Sequence, residues 1–352
     1  MEYRQLGHSG LKVSTITLGT MTFGGAGNFA KVGNADTKLA RSIIDLSIEQ
    51  GVNLIDTANI YSAGLSEEII GEVLDGKRPG NVLIATKARM PIGDGPNDEG
   101  FSRHHIIREC EKSLKRLRTD VIDIYYMHQW DGITPLEEML EALDNLVKQG
   151  KIRYIGSSNF SGWHTMKALS TSREFGYQRF VTQQIHYSLE AREAEYELLP
   201  IGADQGLGAL IWSPLAGGLL SGKYSREMQT QAGTRFAEGW TEPPIRDFDR
   251  LWNIVDVLKD VAKQKNVSAA QVAIAWLLTR ATVSSIVIGG RSLEQIENNI
   301  KASEVVLTEA ELQRLNEVSK LPLLYPYWHQ ANFAKNRMSA GDRVLLQEHI
   351  TK

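Results

Sequence analysis

The sequence predicts an α/β protein built as a closed parallel (β/α)8 barrel, the TIM-barrel arrangement. Three observations lead there. Short apolar runs alternate with longer amphipathic ones, giving eight strand–helix repeats. Composition does not shift along the 352 residues, so nothing divides the chain and residues 1–352 read as a single domain. Three successive strand-like runs end in Asp56, Lys87 and His128, residues suited to chemistry. In a parallel barrel, successive strand C-termini open into one cleft.

Residues 1–15 read as a small hairpin, with Gly7 and Gly10 near its turn. Strands are expected at Ile16–Leu18, Asn53–Asp56, Val82–Thr86, Val121–Met127, Ile152–Ile155, Phe180–Gln184, Ala209–Trp212 and Ser285–Ile288. Helices are expected between them at 36–50, 66–75, 102–117, 135–149, 161–173, 192–203 and 268–280, with 292–302 after the last strand. Ile43, Ile44, Ser47 and Ile48 show the helical stripe, as do Leu136, Met139, Leu140, Leu143, Leu146 and Val147. Extra helices are expected at 248–265 and 309–319. An open doubly wound sheet is the rival fold. It needs a G-x-G-x-x-G turn after its first strand, and GTMTFGGAGNFA has glycines without that spacing. Three stretches exceed a minimal barrel: Met90–Phe101, Ser213–Asp247 and Leu321–Lys352. Connections this long are usually functional or disordered. The last carries Tyr325, Pro326, Tyr327 and Trp328, too aromatic for a solvated end, and is expected to fold over the barrel mouth.

With 42% apolar and 23% charged residues the chain can bury a substantial core. A formal net charge of -3 without a basic block argues against nucleic acid as a partner. Cys110 is the single cysteine, so an intramolecular disulfide is impossible and a thiolate metal cluster is not expected. The first residues have no apolar signal core, and no segment approaches the roughly 20 apolar residues of a membrane span. A cytoplasmic location without a membrane partner is the expectation.

Tyr61 lies on the connection after Asp56. A free phenol, with a pKa of about 10, is a poor acid near neutrality. The Lys87 ammonium can lower that pKa if its strand is adjacent, and Asp56 can hold the ammonium in place. His128 can hydrogen-bond a substrate oxygen set against Tyr61. Each residue alone reads as structural: a strand-ending Asp caps a turn, and a lone His is usually a satisfied polar group. Four of them at one barrel end resist that reading.

The stretches LGTMTFGG, NLIDTANIYSAGLSEEIIG, DIYYMHQWD, KIRYIGSSNFS, IWSPLAGGLLSGKY and IVIGGRSLEQIENN resemble those of aldo-keto reductases, in the same order and over nearly the whole chain. The stretch LPLLYPYW resembles the bacterial branch similar to potassium-channel β-subunits. The resemblance implies an enzyme that reduces an aldehyde or ketone with NAD(P)H, with Asp56, Tyr61, Lys87 and His128 as its catalytic tetrad. Channel subunits share the layout but lack the histidine, so His128 argues for an enzyme over an NADPH-sensing regulatory subunit. A metal-dependent barrel hydrolase would need more strand-end ligands than Asp56 and His128, and no metal is expected.

The same resemblance implies a cofactor extended across the barrel mouth. Gly19, Thr20, Met21 and Asp56 would lie by the nicotinamide, and Ser158, Asn159 and Gln184 would bond its carboxamide. Trp212 would stack on its ring. Ser213, Pro214, Leu215, Ala216, Gly217 and Lys223 would follow the pyrophosphate, joined by Arg235. Gly289, Arg291, Gln295, Asn298 and Asn299 would hold the adenosine end. Gln295 stands where an Arg is common, yet Arg291 can still bond a 2′-phosphate, so NADPH (NADP+) is expected over NADH. Phe23, Tyr61, His128, Trp130, Tyr325 and Trp328 would line the substrate side. Such an aromatic pocket suits a bulky ketone. The branch resemblance points to a xenobiotic one, such as a keto-mycotoxin, and to detoxification. Monomer and homo-oligomer both fit the sequence.

Overall fold

The computed structural model describes residues 1–33, 35–75, 78–226, 239 and 242–350. Strands β1 (Tyr3–Gln5) and β2 (Lys12–Ser14) pair antiparallel as the expected hairpin. The next eight are β3 (Ile16–Gly19), β4 (Leu54–Asp56), β5 (Leu83–Ala88), β6 (Ile122–Met127), β7 (Ile152–Ser158), β8 (Thr182–His186), β9 (Gly208–Trp212) and β10 (Val283–Ile288). They close into a parallel barrel in chain order, with β10 paired to β3. Helices α1 (Thr37–Glu49), α2 (Leu65–Leu74), α3 (Arg103–Leu117), α4 (Leu136–Lys148), α5 (Gly162–Phe175) and α6 (Leu198–Gln205) follow β3 to β8. Helices α7 (Phe248–Lys265) and α8 (Ala269–Leu278) follow β9, and α9 (Leu293–Ile300) and α10 (Glu309–Ser319) follow β10. Among the described residues no helix is long and apolar enough to cross a membrane.

Helix α6 starts at Leu198, six residues later than the expected 192. Pro200 is the reason: it has no N–H for the helix ladder and is tolerated only in a first turn, so the helix begins at Leu198. The buried Arg192 guanidinium pairs with Glu195 through Nε and Nη2 in the turn before it.

Two apolar layers hold the barrel. Outside, the helix stripes bury Ile43, Ile44, Leu140, Leu143 and Trp276 against the strands. Inside, Leu54, Ala85, Ile124, Tyr126 and Leu210 pack with Leu6 and Val13 of the hairpin, which plugs the lower end. Gly7 makes that plug possible. Its φ is 57°, and a Cβ there would lie 2.5 Å from the carbonyl oxygens of both Gly206 and Val181.

Side chains alternate along a strand, so residues in phase with an inward one also face inward. Two positions beyond inward Leu54, Ala85 and Tyr126 stand Asp56, Lys87 and His128. By the same phase Leu210 leads to Trp212 and Thr182, which bonds Tyr126 inside the barrel, leads to Gln184. The mouth chemistry is thus the upper layer of the barrel interior.

The tail departs from the expected position. Leu321 and Pro322 do border the mouth, and Tyr196 donates to the Pro322 carbonyl at 2.5 Å. Helix α11 (Tyr327–Phe333) follows, with the Tyr327 hydroxyl 3.3 Å from Glu197. Helix α12 (Ala340–Leu346), however, packs along the outer wall on α6, burying Leu345 and Leu346. Beyond it the Glu348 carboxylate accepts from Arg192 at 2.6 Å and Arg280 at 2.9 Å. The two guanidiniums need this counter-charge, because Arg192 is only 1% exposed.

Glu348→Gln should therefore lower stability by about 2 kcal/mol. That is less than the roughly 3–5 kcal/mol of a fully buried pair, since Glu348 is 22% exposed and Arg192 keeps Glu195. Urea unfolding measures it. A loss of only a few tenths would mean that the tail end is draped on the wall and does not hold it.

Candidate active site

The Lys87 ammonium is the centre of the mouth. It is fully buried and donates to Asp56 Oδ2 at 2.6 Å, to the Thr57 carbonyl at 2.8 Å and to the Tyr61 hydroxyl at 3.3 Å. Asp56 Oδ1 accepts from Gln184 Nε2 at 2.7 Å. The His128 ring meets the Tyr61 ring edge to face, with centroids 6.0 Å apart and planes at 78°. The four residues expected to act together therefore meet.

Tyr61 is fixed by its own loop. Ser62 and Ala63 hold φ values of 51° and 57°, in the left-handed region L residues avoid. Ser62 Oγ donates to the Phe23 carbonyl and accepts from the Gly25 N–H, both at 2.9 Å, tying this loop to the one after β3. Thr20 donates to the Asp56 carbonyl at 2.9 Å, anchoring the same corner. Eight non-glycine residues among those described have positive φ. Arg118 and Asn266 are helix C-caps; Ser62, Ala63, Arg89, Asn159, Ser213 and Ala216 all lie on mouth connections. Such strain persists only where surrounding structure over-determines it, and it gathers at functional sites.

Burial works against the Lys87 charge, but Asp56 and then Tyr61 outweigh it, so its pKa is raised and the ammonium persists. Burial also dominates at Tyr61 and raises the phenol above its ordinary value; Lys87 pulls it down, and Asp56 pushes it back up. The expected lowering by Lys87 is present as a contribution, but it does not win. Burial, then the charges of Lys87 and Arg89, hold His128 well below the usual imidazole range, so the ring is neutral. Its Nδ1 is buried without a hydrogen-bond partner among the described residues. No three His, Cys, Asp or Glu side chains among the described residues converge to hold a metal ion.

Beside the tetrad stands a flat indole. Trp212 Nε1 donates to Asn159 Oδ1 at 3.0 Å, and Asn159 Nδ2 donates to the His128 carbonyl at 3.0 Å. The His186 ring stacks on Trp212 at 4.6 Å and 27°. Asn159 thus has both ends of its amide engaged, whereas the buried Ser158 Oγ has no partner among the described residues. An orphaned hydroxyl one residue from the Asn159 that holds the indole fits a primary amide on an aromatic ring, as a nicotinamide presents.

The connection after β9 is tightly turned and built of small residues. Ser213, Ala216, Gly217 and Gly218 have φ of 51°, 48°, 66° and 104°, and Gly217 N–H bonds Ser213 Oγ at 3.1 Å. The Ala216 and Gly218 N–H groups bond the Ser213 and Leu215 carbonyls at 3.0 Å and 2.9 Å, so these left-handed turns close the connection on itself. A Cβ on Gly218 would meet nothing within 4 Å, so that side is open. Pro214 is buried beneath, Leu215 packs on the core, and Lys223 is exposed. Arg235 lies outside the described residues. Arg291 donates from Nη2 to the Lys31 carbonyl at 2.8 Å, and its N–H bonds Gln295 Oε1 at 2.9 Å. Asn298 donates to Ser268 Oγ at 3.1 Å, while Asn299 is buried. Gly289 is exposed; Gly19 is a packing glycine, since a Cβ would lie 2.7 Å from Val287. Met21 is half-buried next to Thr20.

Among the residues expected on the substrate side, Phe23 needs correction. It is 1% exposed and belongs to the outer core, because its strand-end turn points it under the helices. Phe29 instead meets Tyr61 edge to face at 5.4 Å; its polar surroundings gave no signal in the sequence. Trp130 stacks on His164 at 3.9 Å and meets Phe160 at 5.2 Å. Tyr325 and Trp328 are 76% and 46% exposed and face each other at 6.2 Å. His186 was missed, although it stands two positions beyond Gln184 on β8, where strand alternation could have found it.

Residues 15–320 match the aldo/keto reductase family. The chain is 42% identical to the uncharacterized oxidoreductase YrpG of Bacillus subtilis over 328 residues, 90% of this chain and 96% of that one. It is 36% identical to a probable voltage-gated potassium channel subunit beta of Arabidopsis thaliana over 326 residues, again 90% and 96%. A rice protein with the same description, from Oryza sativa subsp. japonica, is 36% identical over 312 residues, 87% of this chain and 92% of its own. The chain therefore belongs to the aldo/keto reductase family and is an oxidoreductase acting on carbonyl groups.

Proposed function

We propose that this protein reduces a small-molecule aldehyde or ketone to the alcohol with NADPH, with Tyr61 as proton donor. The observation that carries the reading is the Lys87 ammonium, held by Asp56 at 2.6 Å and set 3.3 Å from the Tyr61 hydroxyl. NADPH, when bound, supplies the hydride from nicotinamide C4 to the carbonyl carbon. Tyr61 gives its proton to the carbonyl oxygen, and Lys87 stabilises the phenolate left behind. His128, neutral, orients that oxygen by a hydrogen bond. Asp56 keeps Lys87 charged and in place.

Ser158 and Gln184 would bond the carboxamide, with Asn159 and His186 holding Trp212 as the stacking surface. Ser213 to Gly217 and Lys223 would take the pyrophosphate, and Arg291 the 2′-phosphate; NADH is the weaker alternative. A bulky xenobiotic ketone, such as a keto-mycotoxin, is the substrate class we favour, and a cytoplasmic detoxifying role follows from it. The tail up to Pro322 would wall the substrate side. Two relatives are described as channel subunits, which favours a second reading as an NADPH-sensing subunit. The complete tetrad supports turnover instead, and a screen of aldehydes and ketones with NADPH and NADH, followed by cofactor absorbance, decides between them.

Tyr61→Phe removes only the hydroxyl. NADPH affinity by fluorescence titration should survive while turnover falls by orders of magnitude; turnover within a few-fold of wild type would exclude Tyr61 as the donor.

Arg291→Ala should weaken NADPH by roughly 1.5–3 kcal/mol, the range of a charged hydrogen bond, and leave NADH nearly unchanged. Equal losses for both cofactors would assign Arg291 to the adenosine itself.

The raised Tyr61 pKa keeps the phenol protonated through neutral pH, so the reduction rate should stay level there and decline only above about pH 10. Alcohol oxidation needs the phenolate and should climb with pH over the same range. A reduction rate that titrates near neutrality would point to another acid.

A further inference from the structure

A cavity of about 620 Å³ opens at the barrel mouth between the connections after β7 and β8, the start of α7 and Lys320–Pro322. It adjoins the indole. Asn159 and His186 line it, and both also touch Trp212, with Asn159 reaching the His128 carbonyl at 3.0 Å. Its apolar walls include Phe160, Ile185, Leu198 and Leu321. Its lining carries both signs: Glu190, Glu193 and Asp247 stand with Arg246, Arg250 and Lys320.

Two acceptor-bearing side chains in this lining, Glu190 and His186, have polar ends without a hydrogen-bond partner among the described residues. Glu190 is 6% exposed. Its backbone is tied at both ends: its N–H donates to Ser188 Oγ at 3.2 Å, and its carbonyl accepts from Arg250 at 2.6 Å. Its carboxyl group has no hydrogen bond among the described residues. Burial pushes that carboxyl up to about 7; Arg250 and Arg246 pull it down, while Glu193 and Asp247 push it up. His186 Nε2 is also buried without a partner among the described residues, and burial alone holds the ring down at about 4. The imidazole is therefore neutral, offering one donor and one acceptor nitrogen. Buried polar groups are nearly always hydrogen-bonded, so the unpartnered His186 Nε2 calls for a ligand or ordered water, and the Glu190 carboxyl lines the same cavity.

We propose that this cavity is a substrate subsite for the remote, hydroxyl-bearing end of a bulky and otherwise apolar carbonyl compound. Glu190 selects for the hydroxyl as its acceptor, and His186 completes the hydrogen bonding. The apolar walls take the body of the molecule. This rests on the carbonyl-reductase reading and adds to it a substrate feature that the tetrad does not define.

The test compares hydroxydecalone, decalone and propanal as substrates of the NADPH-loaded enzyme, in wild type, Glu190→Ala and Glu190→Gln. Glu190→Ala should lower kcat/KM for hydroxydecalone by roughly tenfold or more, mainly through KM. Decalone and propanal should change less than about twofold. Glu190→Gln keeps an acceptor and should recover part of the loss. Equal losses on all three substrates would make Glu190 a structural residue, and no loss on any would leave the cavity to water; either overturns the proposal. Calorimetric titration of decalindiol, which has no carbonyl, into the NADP+-loaded protein separates the two readings. Diol binding that weakens in Glu190→Ala supports the subsite even if none of the three carbonyls is reduced, a result that would count against the reductase reading alone. Diol binding equal in wild type and Glu190→Ala overturns the subsite.

Discussion

The buried pair of Lys87 and Asp56 is the constraint around which the mouth is arranged. An ammonium with no solvent exposure is costly unless geometry and further hydrogen bonds compensate. Here the Thr57 carbonyl and the Tyr61 hydroxyl complete its three donors, and Gln184 takes the second oxygen of Asp56. The pairing requires β4 beside β5 in parallel register, with Asp56 opposite Ala85. A one-residue slip would turn Lys87 outward and strand the charge of Asp56. The barrel and the chemistry are specified by the same alternation.

Rigidity and strain divide between strands and connections. Asp56, Lys87, Gln184 and Trp212 sit on strands whose lower residues are locked in the barrel interior. Tyr61, Asn159 and Ser213 lie on connections, the last two with left-handed backbone and the first beside it. These loops are fastened by specific bonds, Ser62 to the loop after β3 and Asn159 between His128 and Trp212. The scaffold supplies precise positions, and the strained loops bring the remaining groups to them.

The buried charges around Trp276 serve the architecture. Arg192 and Arg280 flank Trp276, at 5.4 Å and 4.0 Å from its ring, and share Glu348 from the far end of the tail. This network fastens the tail to the outer wall, while Leu321 and Pro322 remain at the rim. One segment thereby joins the stability of the wall to the shape of the mouth.

Periodicity made most of the fold legible. Every expected strand lies within a few residues of its actual position, because apolar runs bounded by polar turns leave few alternatives. Asp56, Lys87 and His128 were readable as successive strand ends, since alternation carries the interior phase up to the mouth. The sequence by itself determined the barrel, its order and the residue types at its rim. It could not determine that Phe23 turns into the core while Phe29 reaches Tyr61, that burial outweighs Lys87 at the phenol, or that Glu348 finds Arg192 across 156 residues. Those outcomes rest on desolvation and long-range packing, which depend on what surrounds a group in space, and local pattern carries no record of that.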